Sequence, residues 1–175
     1  MARISNTSAY PNIGTPVASD YLILTDKSDN LVTKTATLAD VQKLFGLDTL
    51  VAKVTVNSAS LLTLNTTAAT LVNAPGAGKA IDLISVNAFF QAGNQAYDFG
   101  NNLEIKIGTV VFGTLGATET NSVSDIVSKV EAASGTKIIA PNTGVVLSTS
   151  SAPSQGTGTA YFNIFYRVLN VDSTF

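Results

Sequence analysis

The last apolar stretch constrains this chain most, because it carries large apolar side chains on both faces. Written as a strand from Ala160 to Val171, it points Phe162, Ile164, Tyr166 and Val168 one way and Tyr161, Phe165 and Leu169 the other. Successive strand side chains alternate between faces, so a strand wet on one side needs only one of these two sets. Such a strand is either central in a sandwich, with something packed on its second face, or turned toward a partner subunit. Tyr161, Phe165 and Leu169 are therefore the candidate subunit interface.

Much of what precedes it is also strand-like. Leu61-Leu62-Thr63-Leu64 and Thr70-Leu71-Val72 read as short strands, followed by the turn Ala74-Pro75-Gly76-Ala77-Gly78. From Lys79 to Gln91, Ile84, Val86, Ala88 and Phe90 alternate with Ser85, Asn87 and Phe89. Leu103, Ile105 and Ile107 alternate with Glu104 and Lys106, and further strands are expected at Thr109–Phe112, Lys137–Ala140 and Gly144–Ser148. Residues 122–134 are ambiguous. Val123, Ile126, Val127 and Val130 recur at helical spacing behind a Ser-x-x-Asp box, while their β-branching favours a strand; the spacing predicts a helix. Close-set strands punctuated by Gly, Pro and Asn predict a mainly β chain, a sandwich or barrel.

The beginning differs. The first twenty residues show almost no periodicity, and Pro11 and Pro16 favour extended backbone before them. Tyr21–Thr25 and Leu31–Thr35 flank a polar turn, as in a hairpin. Thr37-Leu38-Ala39-Asp40 then forms a capping box, and Leu38, Val41, Leu44 and Phe45 share one face of a short helix that Gly46 can end. The expected organisation is an arm over residues 1–46, a linker or first strand over 47–59, and a sandwich over 60–175.

Composition narrows the function. Charged residues make up 13% of the chain, about half the ~25% of an average soluble domain. Some of the surface must be uncharged, either as ordinary β-protein surface or as surface buried against identical subunits. Net charge is −2 and no basic run occurs, so nucleic acid is not an expected partner. No segment has the ~20 apolar residues of a membrane span or the apolar core of a secretory signal; synthesis and folding in a cytoplasm are expected.

The chain contains neither cysteine nor histidine, so the common nucleophile-and-base pairs and thiolate metal sites have no source. Gly76-Ala77-Gly78-Lys79 ends like a phosphate-binding loop, but Asn73 stands where its first glycine belongs and Ala80 follows the lysine. A tight turn explains it. Asp26–Asn30 has calcium-like oxygen density without the loop glycine or closing glutamate of an EF-hand, and reads as a hairpin turn. Asp82, Asp98, Glu104, Glu119, Asp125 and Glu131 fall on separate elements. No catalytic residue, cofactor or metal site is expected, and the chain is read as not an enzyme.

Pro16 to Asp26, continuing through Thr33-Lys34-Thr35-Ala36-Thr37-Leu38-Ala39-Asp40-Val41, resembles the opening module of many phage fibre and virion accessory proteins. Leu62 to Thr67 and Leu71 to Ile81 are similar to small β-sandwich modules of phage structural proteins. The resemblance implies a jelly-roll-like sandwich, a homotrimer, and a head fibre or capsid decoration protein in the virion, made in the host cytoplasm. It also implies attachment to capsid or tail proteins through the arm, by Tyr21, Leu22, Ile23, Leu38, Val41, Leu44 and Phe45. The alternative is a tail or fibre module recognising the host, with Gln91, Asn94, Gln95, Tyr97, Asn101 and Asn102 binding a surface glycan or protein.

Overall fold

The computed structural model describes residues 17, 19–26, 32–44, 49–132 and 140–171. The expected strand at Lys137–Ala140 lies mostly outside them, as do Phe45 and most of the Asp26–Asn30 turn. The chain divides into two compact units, Met1–Asp48 and Thr49–Phe175.

In the first unit, β1 (Tyr21–Asp26) pairs antiparallel with β2 (Val32–Thr37), and α1 (Leu38–Leu44) follows at once. The capping box forms: the Asp40 amide donates to Thr37 Oγ1 at 3.1 Å and the Thr37 amide donates to Asp40 Oδ2 at 3.3 Å. These bonds satisfy amides that the first helical turn would otherwise leave unpaired.

The second unit contains β3 (Leu50–Val56), α2 (Ser58–Leu61), β4 (Ala69–Val72), β5 (Lys79–Gln91), β6 (Leu103–Ile107) and β7 (Val110–Leu115). After them come α3 (Ala117–Thr120), β8 (Ile126–Glu131), β9 (Val145–Ser148) and β10 (Thr159–Asn170). The strands form two four-stranded antiparallel sheets, ordered β3-β10-β5-β8 and β4-β9-β6-β7. The first strand of the unit pairs with its last, β4 with β9, β5 with β8 and β6 with β7. This is one long antiparallel ribbon, bent at the β6–β7 turn and rolled until β10 also meets β5 and β9 meets β6. The expected sandwich is thus a jelly roll in its strand order.

One core joins the sheets. Val86, Phe162 and Ile164 from the first sheet and Leu103, Ile105 and Leu147 from the second belong to a single buried cluster. Strand β6 alternates buried and half-buried residues along its length, and Glu104 and Lys106 pair at 2.6 Å on its outer side. At the β4–β5 connection Gly76 and Gly78 both have positive φ, 98° and 70°, as the expected tight turn requires.

Three expectations need correction. Residues Leu61 to Leu64 are not a strand: α2 covers Ser58–Leu61 and turns follow it. Asn57 Oδ1 accepts from the Ser60 amide at 2.9 Å, and Leu61 and Leu64, three residues apart, are both buried. The stretch around Ile126 to Glu131 is strand β8, not a helix. Asp125, expected to cap that helix, instead accepts the Ala92 amide at 2.8 Å; β-branched residues beside a free ladder position on β5 win over helical spacing. Along β5 the alternating series Ile84, Val86, Ala88 and Phe90 is buried from Val86 onward but not at Ile84, which is 40% exposed. Phe165 pairs with Ser85 and Tyr166 with Leu83, so Ile84 is an extra residue in the ladder. Such a bulge shifts the alternation by one, and Ile81 and Leu83 face the core instead.

Candidate assembly surfaces

The outer face of the first sheet carries the second set of β10 side chains. Phe162 and Ile164 go into the core, which leaves Tyr161 and Phe165 on the outward side. Cross-strand pairing sets Thr55, Tyr161, Phe89 and Val127 in one row. The Phe89 and Tyr161 rings stack with centroids 5.9 Å apart, and the Tyr161 hydroxyl donates to Gln91 Oε1 at 3.1 Å. Val127 ends the row at the sheet edge, 77% exposed. Beneath it run Lys53, Asn163, Asn87 and Lys129, then Val51, Phe165, Ser85 and Glu131. Leu169 shares the parity of Tyr161 but sits at the far end of β10, opposite Ala80, beyond an Arg167–Asp82 pair at 2.6 Å. Tyr161 and Phe165 thus lie on one face, with Leu169 at its end. The sequence does not mark Phe89, Val51 and Val127 as their neighbours, because strands far apart in the chain bring them there.

In the first unit, Tyr21 and Ile23 project from one side of β1, 71% and 76% exposed, and Leu22 is 37% exposed. Leu38 and Val41 on α1 are half-buried. The Leu44 side chain, like Phe45, lies outside what the structure describes.

The loop proposed for glycan contact is built differently from its expectation. Tyr97 is 6% exposed, its ring 5.3 Å from that of Phe99 and its hydroxyl donating to the Gly158 carbonyl at 2.7 Å. Burial pushes its pKa up to about 12. Gly156, at φ 137°, lies so close that a Cβ there would be 2.1 Å from the ring. Tyr97 therefore offers no face to a sugar. The amides are also engaged: Gln95 donates to Gln155 at 2.8 Å and Asn102 accepts from the Ala117 amide at 3.0 Å. Asn94 and Asn101 stay exposed. Asp98 holds the facing loop through Ser154 Oγ at 2.6 Å and the Ser154 amide at 2.7 Å. The Ser154 hydroxyl above all keeps its carboxyl below the ordinary value.

No protein-family model matches the chain, and no curated protein matches it. Among solved structures it is similar to a chain of the cyanophage Pam1 capsid asymmetric unit. The identity is 14% and the TM-score 0.45, over 67% of this chain and 81% of that one.

Proposed function

We propose that this protein is a non-enzymatic structural component of a bacteriophage particle, a homotrimeric head fibre or capsid decoration protein anchored by its N-terminal unit. The observation that carries the reading is the first unit itself. Among its described residues it holds a two-stranded hairpin, marginal by itself in water, and one seven-residue helix, and Tyr21 and Ile23 on the hairpin are exposed. Such an element is suited to completing its core on another protein. The apolar row around Tyr161 and the low charge fraction support self-association of the sandwich. The jelly roll is compatible with the reading but does not carry it, since one fold serves many functions.

The test is particle incorporation of the full chain carrying Tyr21→Asp and Ile23→Asp. Loss of incorporation with an unchanged sandwich melting temperature supports anchoring. Normal incorporation excludes the hairpin as the anchor, and absence of the wild-type chain from particles overturns the particle reading.

A further inference from the structure

Strand β8 is an edge of the first sheet, and it lacks devices that other edges of the sandwich carry. Register irregularities interrupt the pairing of edge strand β4 with β9 and of edge strand β7 with β6. Bulges of this kind twist an edge away from further partners. By contrast β8 runs along β5 from Ile126 to Glu131 without interruption. At its C-terminal end β7 closes over it: a Cβ on Gly113 would lie 2.4 Å from Val130 Cγ1 and 2.9 Å from the Glu131 carbonyl oxygen. Toward its start the two strands part, leaving an open depression between Thr114–Gly116 and Val127–Lys129. The open stretch of the edge is therefore Ile126 to Lys129, with Asp125 directly before it.

The exposed side chains along and just before that stretch, Asp125, Val127 and Lys129, read as complementary to themselves in reverse. We propose that β8 pairs antiparallel with β8 of a second copy about a two-fold axis at Val127. Val127, 77% exposed in the single chain, then covers the partner's Val127, and each Asp125 faces the partner's Lys129. Asp125 is held in place by the Ala92 amide. Lys129 pairs with Glu131 on its own strand at 2.5 Å and has donors left for a second carboxylate. Other registers are worse: centring on Lys129 opposes two lysines, and centring on Asp125 opposes two aspartates. Strand β3, also unbroken, has no acid in its outward row of Val51, Lys53 and Thr55 to answer Lys53.

The contact is short, well below the roughly 800 Å² per partner of a stable interface. It is weak in dilute solution and gains strength where copies are already held side by side. A two-fold contact closes at two copies, so added to a trimer it links trimers into a net. That use rests on the particle reading; the contact itself does not.

The chain has no cysteine, so a single one reports contact cleanly. Directly opposed antiparallel residues have Cα atoms about 4.5–5.5 Å apart, inside the usual disulfide range. Full-length Val127→Cys under mild oxidation should give a disulfide-linked dimer at least about tenfold faster than Val123→Cys, an equally exposed site outside the paired stretch. Adding Lys129→Asp to Val127→Cys should slow the reaction, because it sets an acid opposite Asp125. Equal rates for the two cysteine variants, or no effect of Lys129→Asp, overturn the proposal. Particle incorporation of the wild-type chain is scored separately, so failure of the particle reading leaves this result standing.

Discussion

The two units of this chain spend their apolar residues differently. The sandwich turns Phe162, Ile164, Leu103 and Leu147 inward to a shared core and leaves a smaller set of apolar side chains, Val51, Val123, Val127 and Tyr161 among them, on its outer faces and edges. The hairpin unit turns Tyr21 and Ile23 outward. On the proposed reading, the difference separates a part that is stable by itself from a part that is finished by what it touches, and each half of that proposal can be attacked.

The largest effect is expected in the core. Phe162→Ala should destabilise the sandwich by about 3–5 kcal/mol in denaturant unfolding, while Tyr21→Ala, lacking buried contacts, should change it by no more than about 0.5 kcal/mol. Comparable losses would mean that the hairpin is part of the same cooperative fold. Next comes Tyr97→Phe, which strips the Gly158 carbonyl of its donor and should cost about 1–3 kcal/mol. The same residue sets an alkaline limit. Its pKa is raised from 10.0 to about 12, so its contribution is complete below pH 10 and is lost as pH climbs through the folded value. Alkaline melting curves of wild type and Tyr97→Phe should converge across that window.

Smaller still, Thr37→Ala removes the α1 cap at about 0.5–2 kcal/mol. The loss should appear in amide exchange of α1 and leave the sandwich melt unmoved. At the acid end, Asp98 contributes stability above its ordinary carboxyl value of 3.8, and this is lost as pH falls through its lower folded value. Asp98→Asn should therefore flatten the acid side of the stability profile slightly.

Local rules carried the reading far where neighbours in sequence decide the structure. The Thr37–Asp40 box, the Gly76–Gly78 turn and the alternation of Leu103, Ile105 and Ile107 needed no tertiary information. The errors arose where a distant strand decides. Ile84 turns outward because β10 skips it, and Ile126–Glu131 is extended because β5 offers a ladder that helical spacing cannot reveal. Tyr97 looked like a sugar platform because nothing nearby in sequence announces that Gly156 and Gly158 will close over its ring. Tyr161 and Phe165 were legible from strand parity alone. Their neighbours Phe89, Val51 and Val127 were not, since a row across a sheet is written by pairings between strands far apart in the chain.

The pairing of β3 with β10 also has a temporal meaning. Val56 waits for Ala160, and β5 waits for the same strand on its other side. Ribosomal synthesis must run almost through Asn170 before the first sheet can close, and such long-range closure is slow. A prematurely released chain would leave β3 and β5 with a strand-wide gap between them, exposing their backbone groups to proteases and chaperones. The rolled topology therefore ties the outer face around Tyr161 to β10: a chain cut short before that strand has no such surface to offer.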